Sequence, residues 1–430
     1  MRYTKIDSSL FINNRKKLAK HLKPNSLVVL NANDIMPTNG DGVMPFCQNS
    51  DLFYLAGIDQ EETILILYPD APKEEWQELL FVKKTNEYIM VWEGQKYTKE
   101  AASDTSGIAH IHWLDTFAAV FKNLMEQAEC IYLNSNEHAR AMMDVQTRDA
   151  RFMEWCKQKY PLHKYERLAP IMRHLRTVKS EPEIDLIREA CNITEKGFRK
   201  VLPNIQPGIM EYEIEAGLIA EFIRLRSKGF SYDPIVASGA NACVLHYTAN
   251  NQLCKAGDTI LIDVGAEYAN YKADLTRVLP VSGRFTPRQR SVYEAVLRIL
   301  RQAQQLLTVG NDLATYHEQV GEVVTQELLV LGLLDRTDVK NQSPKHPAYK
   351  KYFMHGTSHH IGLDTHDVGD TYRKLEPSMV LTIEPGIYIR EEGLGVRLEN
   401  VFVVREEGLE DLMASIPIEV DEIEELMYVK

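Results

Sequence analysis

The chain has 430 residues, enough for two domains with a stable interior each and too many for a lone binding module. A composition of 44% hydrophobic and 26% charged residues, with no low-complexity tract and no solenoid-length repeat, excludes disordered and array architectures. The formal charge of -12 argues against nucleic acid or an anionic membrane as partner, because both attract basic surfaces.

At the N-terminus, residues 1–10 lack a basic segment followed by an apolar run. No stretch reaches the roughly 18 apolar residues that span a bilayer, so a cytoplasmic protein without membrane contact is expected. Strands are predicted at 26–31 (SLVVLN), 63–68 (TILILY), 78–82 (ELLFV) and 130–133 (CIYL), alternating with amphipathic stretches. That alternation predicts an α/β N-terminal domain. Cys47, Cys130, Cys156, Cys191, Cys243 and Cys254 form no CxxC and no regular spacing, so inert thiols are expected rather than disulfides or a zinc ribbon.

Two prolines and dense charge in 164–182 mark a boundary, giving domains 1–175 and 176–430. Ser180 with Glu183 three residues later predicts a capping box at the start of a helix over 183–201. A second helix is predicted over 211–228, then strands 259–268 and 272–281 across a short turn. Helices follow at 286–307 and 313–331, and strand-like runs at 379–389 and 395–404 end the pattern. The second half is therefore α+β, with helices flanking a mostly antiparallel sheet.

Asp263 and Asp274 are symmetric about a turn between Tyr268 and Ala269, which predicts that they face one another across the first hairpin. Glu384 and Glu399 are likewise symmetric about Glu391-Glu392, although Pro385-Gly386 is a candidate bulge that would shift that register. Any single one of these acids is more readily a turn, cap or surface residue. Four of them in apolar strands, as two facing pairs, call for compensating cations. Residues 355–366 (HGTSHHIGLDTH) hold four histidines, of which His360 reads as a bystander. No HExxH motif is present. Four carboxylates with one imidazole suit manganese first, with cobalt, iron or zinc as alternatives, and their charge balances two divalent cations.

The segments LIDVGAEYANYKADLTR (261–277), HGTSHHIGLDTHDVG (355–369), TIEPGIYI (382–389) and GVRLEN (395–400) resemble the pita-bread metallopeptidases, from about residue 181 to the end. FCQNSDLFYLAGI (46–58) is similar to a segment of the aminopeptidase P branch. The resemblance implies a pita-bread catalytic domain and a dinuclear aminopeptidase that removes the residue preceding a penultimate proline. Prolidase activity, and a metal-free interaction protein of the same fold, stay open as alternatives. It implies Asp263, Asp274, His359, Glu384 and Glu399 as metal ligands, with Asp274 and Glu399 bridging. Glu384 is then the base, His366 helps stabilise the oxyanion, and His246 and His355 position substrate and assist departure of the proline nitrogen. Arg397, Tyr388 and Arg373 are candidate substrate contacts, and Asp263 a candidate acceptor for the substrate amine. For Arg397 a supporting salt bridge is an equal alternative. Implied partners are proline-containing peptides and further copies of the chain, as dimer or tetramer, with Asp51 as a candidate to reach a neighbouring subunit's site. Asn400 stands where relatives often carry an acid, and His360 where they often carry an apolar or aromatic residue.

Overall fold

A computed structural model of the chain describes residues 2–141, 144–343 and 345–427. The chain divides into two units, Tyr3–Arg176 and Thr177 onward. In the first unit the apolar runs become strands because each is covered on both faces. β1 (Ser26–Asn31) is buried along its whole length, as a central strand of an α/β layer must be.

β1 lies between β2 (Ile64–Leu67), antiparallel, and β5 (Cys130–Leu133), parallel. β3 (Glu78–Val82) and β4 (His110–Trp113) extend one side and β6 (Lys164–Arg167) the other, giving the order β4-β3-β2-β1-β5-β6. Leu27, Val29, Ile66, Phe81, Phe121 and Ile131 pack into one core. The sequence pattern misses β4 (HIHW) and β6 (KYER). Both are edge strands with little apolar alternation, and pairing to an inner neighbour alone makes them strands. β6 and the helix Ala169–Thr177 also fill much of the 164–182 segment, which is therefore structured and not a linker.

In the second unit the helix Glu181–Val201 begins at the predicted cap, where Glu183 accepts from Ser180 N and Oγ, both at 2.8 Å. The next helix, Glu211–Arg224, stops four residues short of the expectation. Arg226 turns to φ 73°, and Ser227 N reaches back to Phe222 O, closing the end as a left-handed C-cap does. Helices Pro287–Leu306 and Leu313–Val330 complete the layer.

Each predicted long strand is split. β7 (Ile235–Ser238), β8 (Thr259–Val264) and β11 (Leu275–Pro280) form one antiparallel sheet, and β9 (Glu267–Tyr268) with β10 (Tyr271–Lys272) closes its hairpin. β12 (Val380–Ile383), β15 (Asn400–Arg405) and β16 (Gly408–Asp411) form another, and β13 (Gly386–Ile389) pairs with β14 (Leu394–Arg397).

The first hairpin turns at Ala269 and Asn270, both at positive φ (52° and 67°), so the turn sits one residue later than its sequence symmetry implies. Asp263 therefore faces Thr276, and Asp274 stands two positions along. A shift of two keeps both carboxylates on the same face of the sheet, whereas a shift of one would have separated them. The second hairpin keeps the predicted register through Pro385-Gly386: Ile383 faces Asn400, Gly386 faces Arg397, and Glu384 and Glu399 lie between these pairs.

Gly265 packs against the opposite strand of the first hairpin, where a Cβ would stand 1.8 Å from the carbonyl oxygen of Ala273. Gly265→Ala should therefore destabilise this unit by about 1–3 kcal/mol, because backbone and not a pliable side chain must move. Denaturant unfolding monitored on the purified variant measures it, and an unchanged midpoint would contradict the close approach.

Candidate metal centre

One backbone and one side-chain hydrogen bond bring the hairpins together. Glu399 N donates to Thr276 O (3.1 Å), and Thr276 Oγ1 donates to Glu399 Oε2 (2.7 Å). Behind them the buried Arg277 guanidinium donates to the Thr276, Glu399 and Pro417 carbonyls (3.0, 2.8 and 2.8 Å) and to Asn400 Oδ1 (2.7 Å). Asn400 passes a bond on to Asp411 Oδ2 (2.8 Å). A neutral amide thus bridges an arginine and an aspartate at the position where relatives often carry an acid.

Asp263, Asp274 and Glu399 are buried, and Glu384 is nearly so. Burial and the neighbouring Asp263 push the Asp274 carboxyl well above the ordinary carboxylate range. Burial and Asp274 do the same to Glu399, and burial and Glu399 to Glu384. Tyr232 bonds both Asp263 and Asp274 through its single hydroxyl. One phenolic proton serves only one of them, so the two acids compete for it.

His359 donates through Nδ1 to the His360 carbonyl (3.0 Å), which leaves the lone pair on Nε2. That lone pair faces Asp274 Oδ2 at 3.5 Å and Glu384 Oε1 at 3.8 Å, acceptor against acceptor. One donor atom each from Asp274, His359 and Glu399 lie within 4.8 Å of one another, and Glu399 Oε1 is buried without a hydrogen-bond partner. Converging acceptors, an orphaned oxygen and protons held against ordinary acidity fit a divalent cation.

Asp263 stands slightly apart, because Arg397 and Tyr232 occupy its two oxygens. Arg397 is buried, and it also donates to Tyr388 Oη (2.8 Å) and Thr276 Oγ1 (3.2 Å). It forms an ion pair with Asp263. Tyr388 is in turn 2.7 Å from His355 Nε2, while His355 Nδ1 meets Gly356 O at 2.8 Å and Glu384 Oε2 at 3.6 Å. Burial, with Arg397 nearby, lowers the His355 imidazole to about 3, so it is neutral.

His366 stacks edge-on to His359 with ring centroids 4.3 Å apart. His246 lies exposed in the loop after β7. Arg373 pairs with Glu376 at 2.8 Å, along its own segment. His360 is buried, its ring against Gly369 and burial lowering it to about 3. Within the N-terminal unit, Asp51 is engaged on both oxygens, by Arg176 (2.8 Å) and Asn134 (3.0 Å). Tyr232, Thr276 and Arg277 are missed by sequence reasoning. Thr276 carries a usable signal, two residues after Asp274 and so on its face of the strand. Tyr232 carries none.

Residues 185–406 match metallopeptidase family M24, and residues 11–132 match the aminopeptidase P N-terminal domain. A Haemophilus influenzae protein described as Xaa-Pro aminopeptidase is 33% identical, over 98% of either chain. Pseudomonas aeruginosa aminopeptidase PepP superposes with a TM-score of 0.89 at 32% identity, covering 98% of both chains. Zinc-substituted Escherichia coli aminopeptidase P in complex with product does so at 0.87 and 32%, covering 99% of both. By the match over residues 185–406 and the full-length likeness at 33% identity, the chain belongs to metallopeptidase family M24.

Proposed function

We propose that this protein is a metal-dependent aminopeptidase that releases the N-terminal residue from peptides with proline in second position. The convergence of Asp274, His359 and Glu399 donor atoms within 4.8 Å carries the metallo-hydrolase reading. The full-length likeness to Xaa-Pro aminopeptidases, N-terminal domain included, supports that specificity over prolidase.

Asp263, Asp274, His359, Glu384 and Glu399 would hold two divalent cations. When bound, the cations supply Lewis acidity and water activation at neutral pH. An oxygen-dominated donor set favours manganese among them. Glu384 would receive a proton at its carboxylate. His366, beside His359, donates towards the developing oxyanion. Arg397 and Tyr388 hold Asp263 and His355 in place, and Asp263 is the acceptor for the substrate amine.

A bond before proline joins a tertiary amide without N–H, so recognition depends on the shape of the ring and not on a backbone donor. We assign Arg373 and Tyr388 as candidate contacts around the peptide. Six cysteines without a disulfide among them support a reducing, cytoplasmic setting. No helix among the described residues is long and apolar enough to cross a membrane. Homo-oligomerisation, as dimer or tetramer, is part of the proposal.

Incubated with manganese, the protein should release the first residue from an Xaa-Pro-Xaa tripeptide, and chelation should abolish the activity reversibly. Activity confined to Xaa-Pro dipeptides would favour prolidase, and metal-free protein with no manganese-stimulated hydrolysis would refute the enzyme. Asp274→Ala should lower kcat/KM by about a thousandfold or more while the circular dichroism spectrum stays native. Global unfolding of that variant would show the acid to be structural.

The raised carboxyls also predict a pH dependence of stability. A carboxyl whose folded pKa exceeds its unfolded value binds more protons in the folded state between the two, so stability falls as pH rises through that window. In chelator, the melting temperature of the second unit should therefore drop as pH rises above the ordinary carboxylate range of about 4, and divalent metal should restore it. A flat profile in chelator would contradict the crowding of these acids.

A further inference from the structure

The helix Glu211–Arg224 begins with a carboxylate that has no solvent exposure and no cationic partner among the bonds it accepts. Glu211 Oε1 accepts from Ser238 N (2.7 Å), Ser238 Oγ (2.6 Å) and Asn241 Nδ2 (3.4 Å). Glu211 Oε2 accepts from Tyr247 Oη (2.8 Å) and Gln252 N (2.9 Å). Every donor belongs to one segment, residues 238–252, which leaves β7 at Ser238 and returns to the helix start at Gln252.

The return is stitched by backbone as well. Glu211 N donates to Gln252 O (3.0 Å), and Cys254 N to Ile209 O (2.9 Å). One helical turn further, Glu215 accepts from Asn250 Nδ2 (2.8 Å), and Asn250 Oδ1 accepts from Val236 N (2.9 Å). On its other side the segment is wedged against β14, where a Cβ on Gly395 would stand 2.2 Å from Ala242 O. Both ends are thus fixed while the middle stays exposed, and the middle holds His246, next to Tyr247.

A buried carboxylate with this many donors and no cation among them is costly unless the arrangement it enforces is needed. We propose that Glu211 is a positioning residue: by clasping Ser238, Asn241, Tyr247 and Gln252 it sets the place of His246 in the loop they anchor. The proposal rests on the aminopeptidase reading for its kinetic consequence, and on the loop alone for its structural one. Glu211→Gln is the sharp test, because it replaces one acceptor oxygen with an amide donor facing donors. Tyr247→Phe removes a single bond to the same carboxylate and serves if the first variant folds poorly.

In metal-loaded protein, amide hydrogen exchange across 239–249 should quicken in both variants, while the helices Glu181–Val201 and Pro287–Leu306 keep wild-type protection. Turnover of an Xaa-Pro-Xaa tripeptide should lose roughly tenfold in kcat/KM in Glu211→Gln. That loss should vanish when Glu211→Gln is added to His246→Ala, because residues acting through one another are not additive. Unchanged exchange in both variants, or losses that multiply in the double variant, would overturn the proposal. If the wild-type protein cleaves no Xaa-Pro bond the functional reading falls, and the exchange measurement still decides the role of Glu211.

Discussion

Four carboxylates drawn from two hairpins occupy one buried volume, and their mutual repulsion is the constraint around which the second unit is organised. Without cations, the crowding and burial raise the pKa of Asp274, Glu384 and Glu399, and the charge of Arg397 offsets part of the repulsion. Thr276, Tyr232 and the Arg277 cluster then fix where each acid stands. Removing one partner from such a set leaves a buried charge exposed to its neighbours, so the surrounding groups matter as much as the acids themselves.

Backbone breaks deliver the acids to this place. Leu398 N still donates to Pro385 O (3.2 Å), but at Glu384 and Glu399 the second hairpin stops pairing with itself. Glu384 N goes instead to Thr357 O (2.7 Å), and Glu399 N to Thr276 O. Each acid is thereby handed to a different element, the first to the histidine-rich segment and the second to β11. Proline removes one ladder donor at this point, which allows the interruption without leaving a buried N–H unpaired.

The histidine-rich segment has little regular structure and is held by other means. The Lys179–Asp367 ion pair (2.9 Å) is almost wholly buried, and Gly362 and Gly369 admit Asp367 and the His360 ring where a Cβ would clash. His360, a bystander to the carboxylates, belongs to this support. The segment before it presents His359 through one carbonyl bond that selects its tautomer. Glu211 is proposed to hold the His246 loop in a similar way, as a buried carboxylate outside the cluster that accepts from Tyr247 and Gln252.

The central strands of the first unit, the capped helix at Glu181 and the ordered acid and histidine motifs are legible in the sequence, because burial writes local periodicity and caps use local residue types. The edge strands β4 and β6 are not, since pairing rather than composition makes them strands. The hairpin registers show the division most clearly. Sequence symmetry places Asp263 and Asp274 on one face, but the left-handed pair Ala269-Asn270 moves the turn and sets them two positions apart. The same symmetry gives the register of Glu384 and Glu399 correctly, without disclosing that pairing breaks beside them. The sequence by itself determined which face of each strand the four acids occupy. Tertiary structure alone decided their distances, protons and anchors, because Tyr232, Arg277 and Glu211 act through contacts that no local pattern records.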